Sequence, residues 1–266
     1  MAILKKILIT ILNLFNPFSA NSKKKEPTFE EMLQMAKDGN DKAQFNVAMM
    51  YEEGDGVEQN DAEAIKWYEK VAVLGDAVAQ SKLGEAYFYG KGVDKDIDTA
   101  FKWVKRAAEK NNLKSMMLLS TMYEQGLGIE ANQHVAFDWL MLAATKMLTP
   151  AQIKLALRYK NGDDIVPLDL GKAAFWMSRA AKVKDPEAQY QLGLMYLEGI
   201  GLEKNDEQAF KYISWSAAQN HAKAQQKLGA MYEQGIGTNP NAEEAAAWHE
   251  KATAQAQADA LEKLKV

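Results

Sequence analysis

The chain has 266 residues, 47% of them hydrophobic, and a net charge of −4 from 32 basic and 36 acidic side chains, as expected of a globular protein that buries a core. It has no cysteine, which excludes disulfide frameworks, thiolate metal sites and cysteine nucleophiles. The charge balance gives no overall basic surface of the kind that nucleic acids bind, so no nucleic-acid partner is predicted.

The first 26 residues differ in kind from the rest. Two lysines precede an apolar run over 7–15, which is shorter than the ~20 residues of a membrane-spanning helix but long enough for the core of a signal peptide. A small-x-small sequence at 20–22 fits cleavage, and export to the periplasm or the medium is the favoured location. A second interpretation is an amphipathic helix through which residues 1–25 contact a cytoplasmic membrane surface, because apolar residues recur at i, i+3, i+4 and i+7. A third is an ordinary soluble terminus.

Residues 27–39 are predicted to form an N-terminal capping helix. Thr28 followed by Glu31 has the pattern of a capping box, in which each side chain accepts a hydrogen bond from the other residue's backbone N–H. In the register of the repeats that follow, this segment corresponds to the second helix of an incomplete hairpin.

The chain then repeats itself six times with a period of about 36 residues. The units are approximately 40–75, 76–111, 112–147, 148–184, 185–220 and 221–256. A tyrosine marks each unit: Tyr51, Tyr87, Tyr123, Tyr159, Tyr196 and Tyr232. Three residues later comes a glycine: Gly54, Gly90, Gly126, Gly162, Gly199 and Gly235. Further on stands a large aromatic residue: Trp67, Trp103, Trp139, Trp176, Tyr212 and Trp248.

This spacing predicts a helical hairpin in each unit. A small residue, a leucine or valine, and the tyrosine recur at i, i+4 and i+8, which is one face of a first helix. The glycine supplies the left-handed conformation that ends this helix. An Asx residue then follows in each unit and is predicted to be the N-cap of a second helix: Asn60, Asp96, Asn132, Asp169, Asn205 and Asn241. The second helices are predicted to end near residues that mostly tolerate a left-handed conformation: Gly75, Asn111, Lys184 and Asn220.

We call the set of equivalent positions in the six repeats a column. Two further columns affect how the helices pack. The residue after the leucine column is always small, which predicts close approach of a neighbouring helix: Ala48, Gly84, Ser120, Ala156, Gly193 and Gly229. A second glycine follows the first in every unit except the fourth, which has Asp164, one extra residue and Pro167. Because no hairpin can bury its apolar stripe alone, the pattern predicts an all-α solenoid of stacked hairpins.

Residues 257–266 are predicted to form a C-terminal capping helix or extension. Ala260 and Leu264 continue the small and leucine columns. This segment is therefore either the beginning of a seventh hairpin or a prolongation of the last helix.

No motif in the chain indicates chemistry. The repeated Gly-x-Gly ends a helix and is not followed by Lys-Ser/Thr, which argues against a phosphate-binding loop. The three histidines lack metal-ligand spacing, and residues 161–164 resemble a calcium loop only faintly, without its spaced acidic ligands. The aromatic column indicates core packing rather than a ligand cage. We therefore predict no catalytic residues, no cofactor and no metal ion.

The motif A-x-x-x-L-G-x-x-Y-x-x-G-x-G followed by A-x-x-W-x-x-x-A-A resembles the Sel-one-like repeat (SLR) family, a relative of the tetratricopeptide repeat. The resemblance covers about four-fifths of the chain and rests on six coincident copies. It implies a right-handed superhelical solenoid that acts as an adaptor for protein assemblies, and bacterial relatives are often exported or associated with the envelope. Tyr212 in place of tryptophan departs from the motif.

The predicted function is therefore a non-catalytic scaffold whose extended concave surface binds a partner protein or peptide, in a bacterial and envelope-associated setting. One alternative is an inhibitor or immunity-type protein that neutralises a single toxic partner, and a remote one is an enzyme accessory or weak hydrolase. Partner identity and oligomeric state are not encoded in recognisable motifs.

Candidate partner-binding residues are those that break a polar column. The position three after the aromatic column is basic in four units, but it is Leu142 in the third and Trp215 in the fifth. The position after the tyrosine is charged in four units but is Phe88 and Leu197 in the others, and Tyr89 adjoins Phe88. A large exposed aromatic is a candidate hot spot. For Phe88 and Leu197, packing against an adjacent loop is an equal alternative.

Overall fold

The structure is a computed structural model that describes residues 27–263. Within these residues it consists of thirteen helices and no strands. The helices are α1 (Phe29–Lys37), α2 (Asp41–Glu53), α3 (Asp61–Val73), α4 (Ala77–Tyr89), α5 (Ile97–Glu109), α6 (Leu113–Gln125), α7 (Gln133–Thr145), α8 (Thr149–Asn161), α9 (Leu170–Lys182), α10 (Pro186–Glu198), α11 (Asp206–Ala217), α12 (Ala222–Gln234) and α13 (Ala242–Lys263). The signal-peptide and membrane-surface interpretations of 1–26 lie outside the described residues, as does Leu264.

Each repeat is a hairpin of an even-numbered helix and the odd-numbered helix after it. The predicted glycine ends the first helix in a left-handed conformation in five repeats, for example at Gly54 with φ 70° and ψ 32°. A backbone bond then closes the turn in all six, because the N–H of the capping Asx residue donates to the tyrosine carbonyl at 2.9–3.0 Å. The Asx side chain in turn accepts a backbone N–H in the first turn of the second helix, as predicted.

The second helices end where the sequence predicts, with one addition. Residues with positive φ terminate α1, α3, α5, α7, α9 and α11: Gly39, Gly75, Asn111, Met147, Lys184 and Asn220. Met147, with φ 68°, was not among the predicted positions. In the sixth repeat the equivalent residue is Ala256, which stays helical, so α13 continues as one helix to Lys263. Two interpretations of the C-terminal segment were a seventh hairpin and a prolonged last helix. The described residues form the prolonged helix.

The small residues that follow the leucine column allow the two helices of a hairpin to approach closely, as predicted. A Cβ added at Gly84 would lie 2.5 Å from Val104 Cγ2, and one at Gly193 would lie 2.6 Å from Ile213 Cγ1. At Ser120 the hydroxyl uses the same proximity and donates to the carbonyl of Ala136 at 2.7 Å.

The residues divide at Lys70 into an N-terminal unit and a C-terminal unit that begins at Val71. In the N-terminal unit the predicted capping box at Thr28 and Glu31 is present, and Phe29 of α1 packs edge to face on Tyr51 with ring centroids 5.2 Å apart. Tyr68 donates to a Glu52 carboxylate oxygen at 2.7 Å, and burial together with this bond raises the pKa of Tyr68.

The C-terminal unit has a continuous apolar core from Ala100 to Met195 and a second cluster in the last two repeats. Between repeats, a phenylalanine of the second helix packs on the tyrosine of the next repeat: Phe101 on Tyr123, Phe137 on Tyr159, and Phe210 on Tyr232. A buried glutamine adds a polar link, because the amides of Gln80 and Gln152 donate to the carbonyls of Ala72 and Ala144 in the preceding helix. A glutamine stands at this position in five of the six repeats, a recurrence that was not among the predicted packing features.

Candidate partner-binding surface

The aromatic column lies on the second helix of each hairpin, and a cation covers it in four repeats. The pairs are Lys70 with Trp67, Arg106 with Trp103, Arg179 with Trp176, and Lys251 with Trp248, with cation-to-centroid distances of 3.8, 4.8, 5.7 and 4.1 Å. Residues three apart on a helix are neighbours, and the faces of indole rings attract cations. In these repeats the basic side chain therefore lies over the aromatic ring and makes a cation–π contact with it.

The expectation that the aromatic column packs in the core holds for two positions. Trp67 and Trp176 are buried, with 7% and 8% of their surface exposed. The other four are half-buried: Trp103, Trp139, Tyr212 and Trp248. The aromatic column therefore lies at the edge of the core, and a ring with a cation three positions later is buried in two repeats and half-buried in two others.

The fifth repeat replaces this cation with Trp215, which is 45% exposed. Its ring packs edge to face on Tyr212 at 5.2 Å, and Tyr212 stacks on Tyr196 at 5.7 Å with an interplanar angle of 10°. Lys211 Nζ lies 4.8 Å from the Trp215 centroid. Trp215 thus packs on Tyr212, which is itself stacked on Tyr196, and 45% of the Trp215 surface remains exposed. In the third repeat Leu142 takes the cation's place and is 37% exposed.

Sequence reasoning missed Phe175, which is 53% exposed on α9. The residues at its position in the other repeats are Lys66, Lys102, Asp138, Lys211 and Ala247, all exposed. Phe175 packs edge to face on Trp176 at 5.2 Å, and Arg179 Cζ lies 5.6 Å from its centroid. The rule that identified Trp215, an apolar residue in a polar column, would also have found Phe175.

The other predicted contact residues lie apart, at the ends of α4 and α10. Tyr89 is 69% exposed and packs edge to face on Phe88 with centroids 4.9 Å apart. Phe88 and Leu197 are half-buried and pack against the two core clusters. Their packing role is therefore evident, and partner contact through them stays a prediction.

The altered loop of the fourth repeat is organised by Asp163. Its Oδ2 accepts from Arg158 Nε at 2.6 Å, and its Oδ1 accepts the backbone N–H groups of Ile165 and Val166 at 2.8 and 2.7 Å. The Arg158 hydrogen bond holds the pKa of Asp163 below its ordinary value, although partial burial opposes this. The carboxylate thus serves as a loop anchor in the segment that resembled a calcium loop.

Two of the histidines have structural partners. His221 caps α12, since its Nδ1 accepts the N–H of Ala224 at 3.2 Å, and its Nε2 lies 2.9 Å from Glu187 Oε2. Burial raises the pKa of Glu187, but hydrogen bonds from Gln191 and His221 outweigh it and hold this pKa below its ordinary value. His249 Nε2 lies 3.2 Å from Glu233 Oε1. Across residues 27–263, no three His, Asp or Glu side chains cluster closely enough to hold a metal ion.

Membrane contact was predicted only for the N-terminal segment. Among the helices α1–α13, none combines the length and the apolar character needed to cross a bilayer.

Comparison with protein families gives one consistent result. A family model described as the Sel1 repeat matches six segments, 41–76, 77–112, 113–146, 149–185, 186–221 and 222–256, which together make up well over half of the chain. A sel1-like repeat-containing protein, L18, of Acanthamoeba polyphaga mimivirus is 52% identical over 42 residues, which are 16% of this chain and 7% of that protein.

Solved structures with the same fold include two that are similar over most of this chain. A Sel1 repeat protein from Oxalobacter formigenes superimposes with a TM-score of 0.74 and 30% identity, covering 85% of this chain and 99% of that one. The protective antigen c5321 of uropathogenic Escherichia coli strains, which displays an SLR fold, gives a TM-score of 0.74 and 27% identity over 88% of this chain and 58% of its own. The immunity protein PA5088 of Pseudomonas aeruginosa, with a TM-score of 0.53 and 17% identity over 91% of this chain and 89% of its own, shares the fold alone.

Proposed function

Because the chain belongs to the Sel1 repeat family, whose members are protein-interaction scaffolds, we propose that it is a non-catalytic scaffold that binds a partner protein through the exposed side of its second helices. The observation that carries this proposal is Trp215. At its position four of the six repeats place a cation over the aromatic column, whereas the fifth places a second, half-exposed aromatic ring there.

An exposed indole at this position has a specific physical use. Trp is among the residues that most often dominate binding energy, since a rigid ring buries a large area at little entropic cost. Trp215 already packs on Tyr212 and has the Lys211 ammonium group over its ring, so its conformation is restricted before a partner binds. This restriction reduces the entropic cost of binding.

The proposal is tested by partner capture from extracts of the native organism, with the full chain immobilised and the bound proteins quantified by mass spectrometry. Trp215→Lys installs the residue type that other repeats carry at this position, so the fold should be retained. We expect the variant to recover at least about tenfold less of the principal partner, in line with loss of a hot spot. Arg106→Lys, in the same column, is the matched control and should capture as the wild type does.

Equal capture by Trp215→Lys and the wild type, with both proteins folded by circular dichroism, would remove Trp215 from the binding surface. The composition of the captured material also separates the candidate roles. A scaffold should retain several proteins, whereas the inhibitor alternative requires one partner bound tightly.

A further inference from the structure

The exposed side of α9 combines positive charge with an apolar side chain. The helix carries Lys172, Arg179 and Lys182 and has no acidic residue, although the whole chain has a net charge of −4. Phe175 stands among these cations with 53% of its surface exposed. We refer to these four residues as the α9 surface.

The cations of this surface are only partly engaged within the protein. Lys172 Nζ lies 3.2 Å from the capping carboxylate of Asp169, with 60% of the lysine side chain exposed. The Arg179 guanidinium lies near the rings of Phe175 and Trp176, with Cζ 5.6 and 5.7 Å from their centroids. An arginine beside aromatic rings keeps its charge, and its N–H groups remain able to donate to a carboxylate.

The next repeat continues the same chemistry in the equivalent helix. On α11, Trp215 is 45% exposed and Lys211 Nζ lies 4.8 Å from its ring centroid. Lys211 stands at the position that Phe175 has in the fourth repeat, and Trp215 stands at the position of Arg179. Two successive repeats therefore each present one exposed aromatic ring with a cation one helical turn away.

We propose that the α9 surface docks an acidic segment of the partner protein, with an apolar side chain of that segment against Phe175 and its carboxylates toward Arg179 and Lys182. This inference rests on the proposed function and names the chemistry of the partner. Charge complementarity supports this proposal. Positive groups around an apolar anchor favour a negatively charged segment and disfavour a basic one, because like charges brought together at an interface are repelled.

The experiment selects random short peptides displayed on phage against the immobilised full chain, and then measures binding of synthetic copies of the selected peptides by fluorescence anisotropy. We expect the selected peptides to combine Asp or Glu with a leucine or an aromatic residue. Phe175→Lys, which matches Lys66, Lys102 and Lys211 at the same position, should weaken binding about tenfold or more. Arg179→Glu should weaken it at least as much, and added salt should weaken it for the wild type.

The matched control is Lys102→Glu, which changes the charge as much as Arg179→Glu does but on α5. It should leave the affinity within about twofold of the wild type, since exposed charges farther apart than a Debye length of ~10 Å are largely screened. Equal weakening by Lys102→Glu and Arg179→Glu, with no effect of Phe175→Lys, would overturn the proposal, because attraction would then follow total charge.

Three further results would also overturn it: selection of neutral or basic peptides, the absence of any enrichment, and preferential binding of a single-stranded oligonucleotide or of anionic lipid vesicles tested in parallel. None of these results bears on the Trp215→Lys capture experiment, which uses partners from the native organism. The inference on partner chemistry can therefore fail while the proposed scaffold function stands.

Discussion

At the scale of single residues, the repeat shows which positions are fixed by the fold and which are free to vary. The six capping Asx residues all make the same backbone bonds, so their recurrence is a requirement of the hairpin. Asp163 illustrates a local replacement. In the repeat that lacks the second glycine, its carboxylate joins Arg158 to two backbone N–H groups and so holds a loop of different length.

Asp163→Asn should lower the free energy of unfolding by about 1 kcal/mol at pH 7, a modest value because the Asp163 side chain is 36% exposed and its ion pair is screened. The asparagine oxygen can still accept from Ile165 and Val166, so the loss isolates the Arg158 interaction. Since the folded pKa of Asp163 is lowered, this stabilisation is present above the unfolded pKa of ~3.9 and is lost as the pH falls through the folded pKa.

Chemical denaturation of both proteins at several pH values measures this difference. It should be constant above about pH 5 and shrink below about pH 4. Asp164→Asn, at the exposed neighbouring residue, should have little effect at any pH. A difference between wild type and Asp163→Asn that persists unchanged into acid would show that the carboxylate charge does not stabilise the loop.

At the scale of elements, the two glycines of a turn have different structural roles. Gly199 ends α10 with φ 70°, and an added Cβ would make an ordinary 3.6 Å contact with Lys204. Gly201, with φ 68°, lies against the start of α9 in the preceding repeat, where an added Cβ would overlap the carbonyl of Leu170. The first glycine therefore serves its own helix, while the second allows one repeat to approach the next.

Gly201→Ala should consequently cost more stability than Gly199→Ala. Both pay about 1 kcal/mol for an alanine in the left-handed region, and Gly201→Ala adds the displacement of backbone against backbone, for a total of about 3 kcal/mol. The shift in the urea midpoint of each variant measures the two costs. Similar shifts would mean that the turn relaxes away from α9 without penalty.

At the scale of the whole molecule, the sixth repeat lacks a large apolar side chain at two positions where most other repeats have one. Gln226 and Ala246 are exposed. The residues equivalent to Ala246 include Phe101, Phe137 and Phe210, each of which packs on the tyrosine of a following repeat. Exposed positions without large apolar side chains disfavour association between molecules.

Gln226→Ile combined with Ala246→Phe should therefore promote self-association, because it places two large apolar side chains at positions that are exposed in the described residues. Light scattering over a range of concentrations should show a rise in mean mass for the double variant. Ala247→Phe adds the same ring one position away as a control and should leave the mass closer to that of the wild type. An unchanged mass for the double variant would show that the lack of large apolar side chains at these two positions is not what limits association.

Which features of the structure could be predicted from the sequence depends on the kind of residue. Helix ends followed from the sequence because glycine and Asx act through their own backbone or through atoms three residues away. Met147 escaped prediction since nothing in a methionine indicates a left-handed conformation. The repeat's register imposes that conformation by ending the helix there. Phe175 was detectable in the sequence, because lysine, aspartate or alanine stands at its position in the other repeats, but that position was not compared; its 53% exposure shows that the ring does reach the surface.

The sequence by itself determined the family, the all-α hairpins and their caps, because each depends on local spacing repeated six times. Only the tertiary structure decided which side chains of different columns contact one another and which remain exposed. It showed that basic side chains lie over the aromatic column, that Trp215 packs on Tyr212, and that Phe175 is exposed next to Arg179. These relations depend on how far each ring projects past its neighbours. A linear sequence records which residues recur, but side-chain exposure is fixed only when the helices pack.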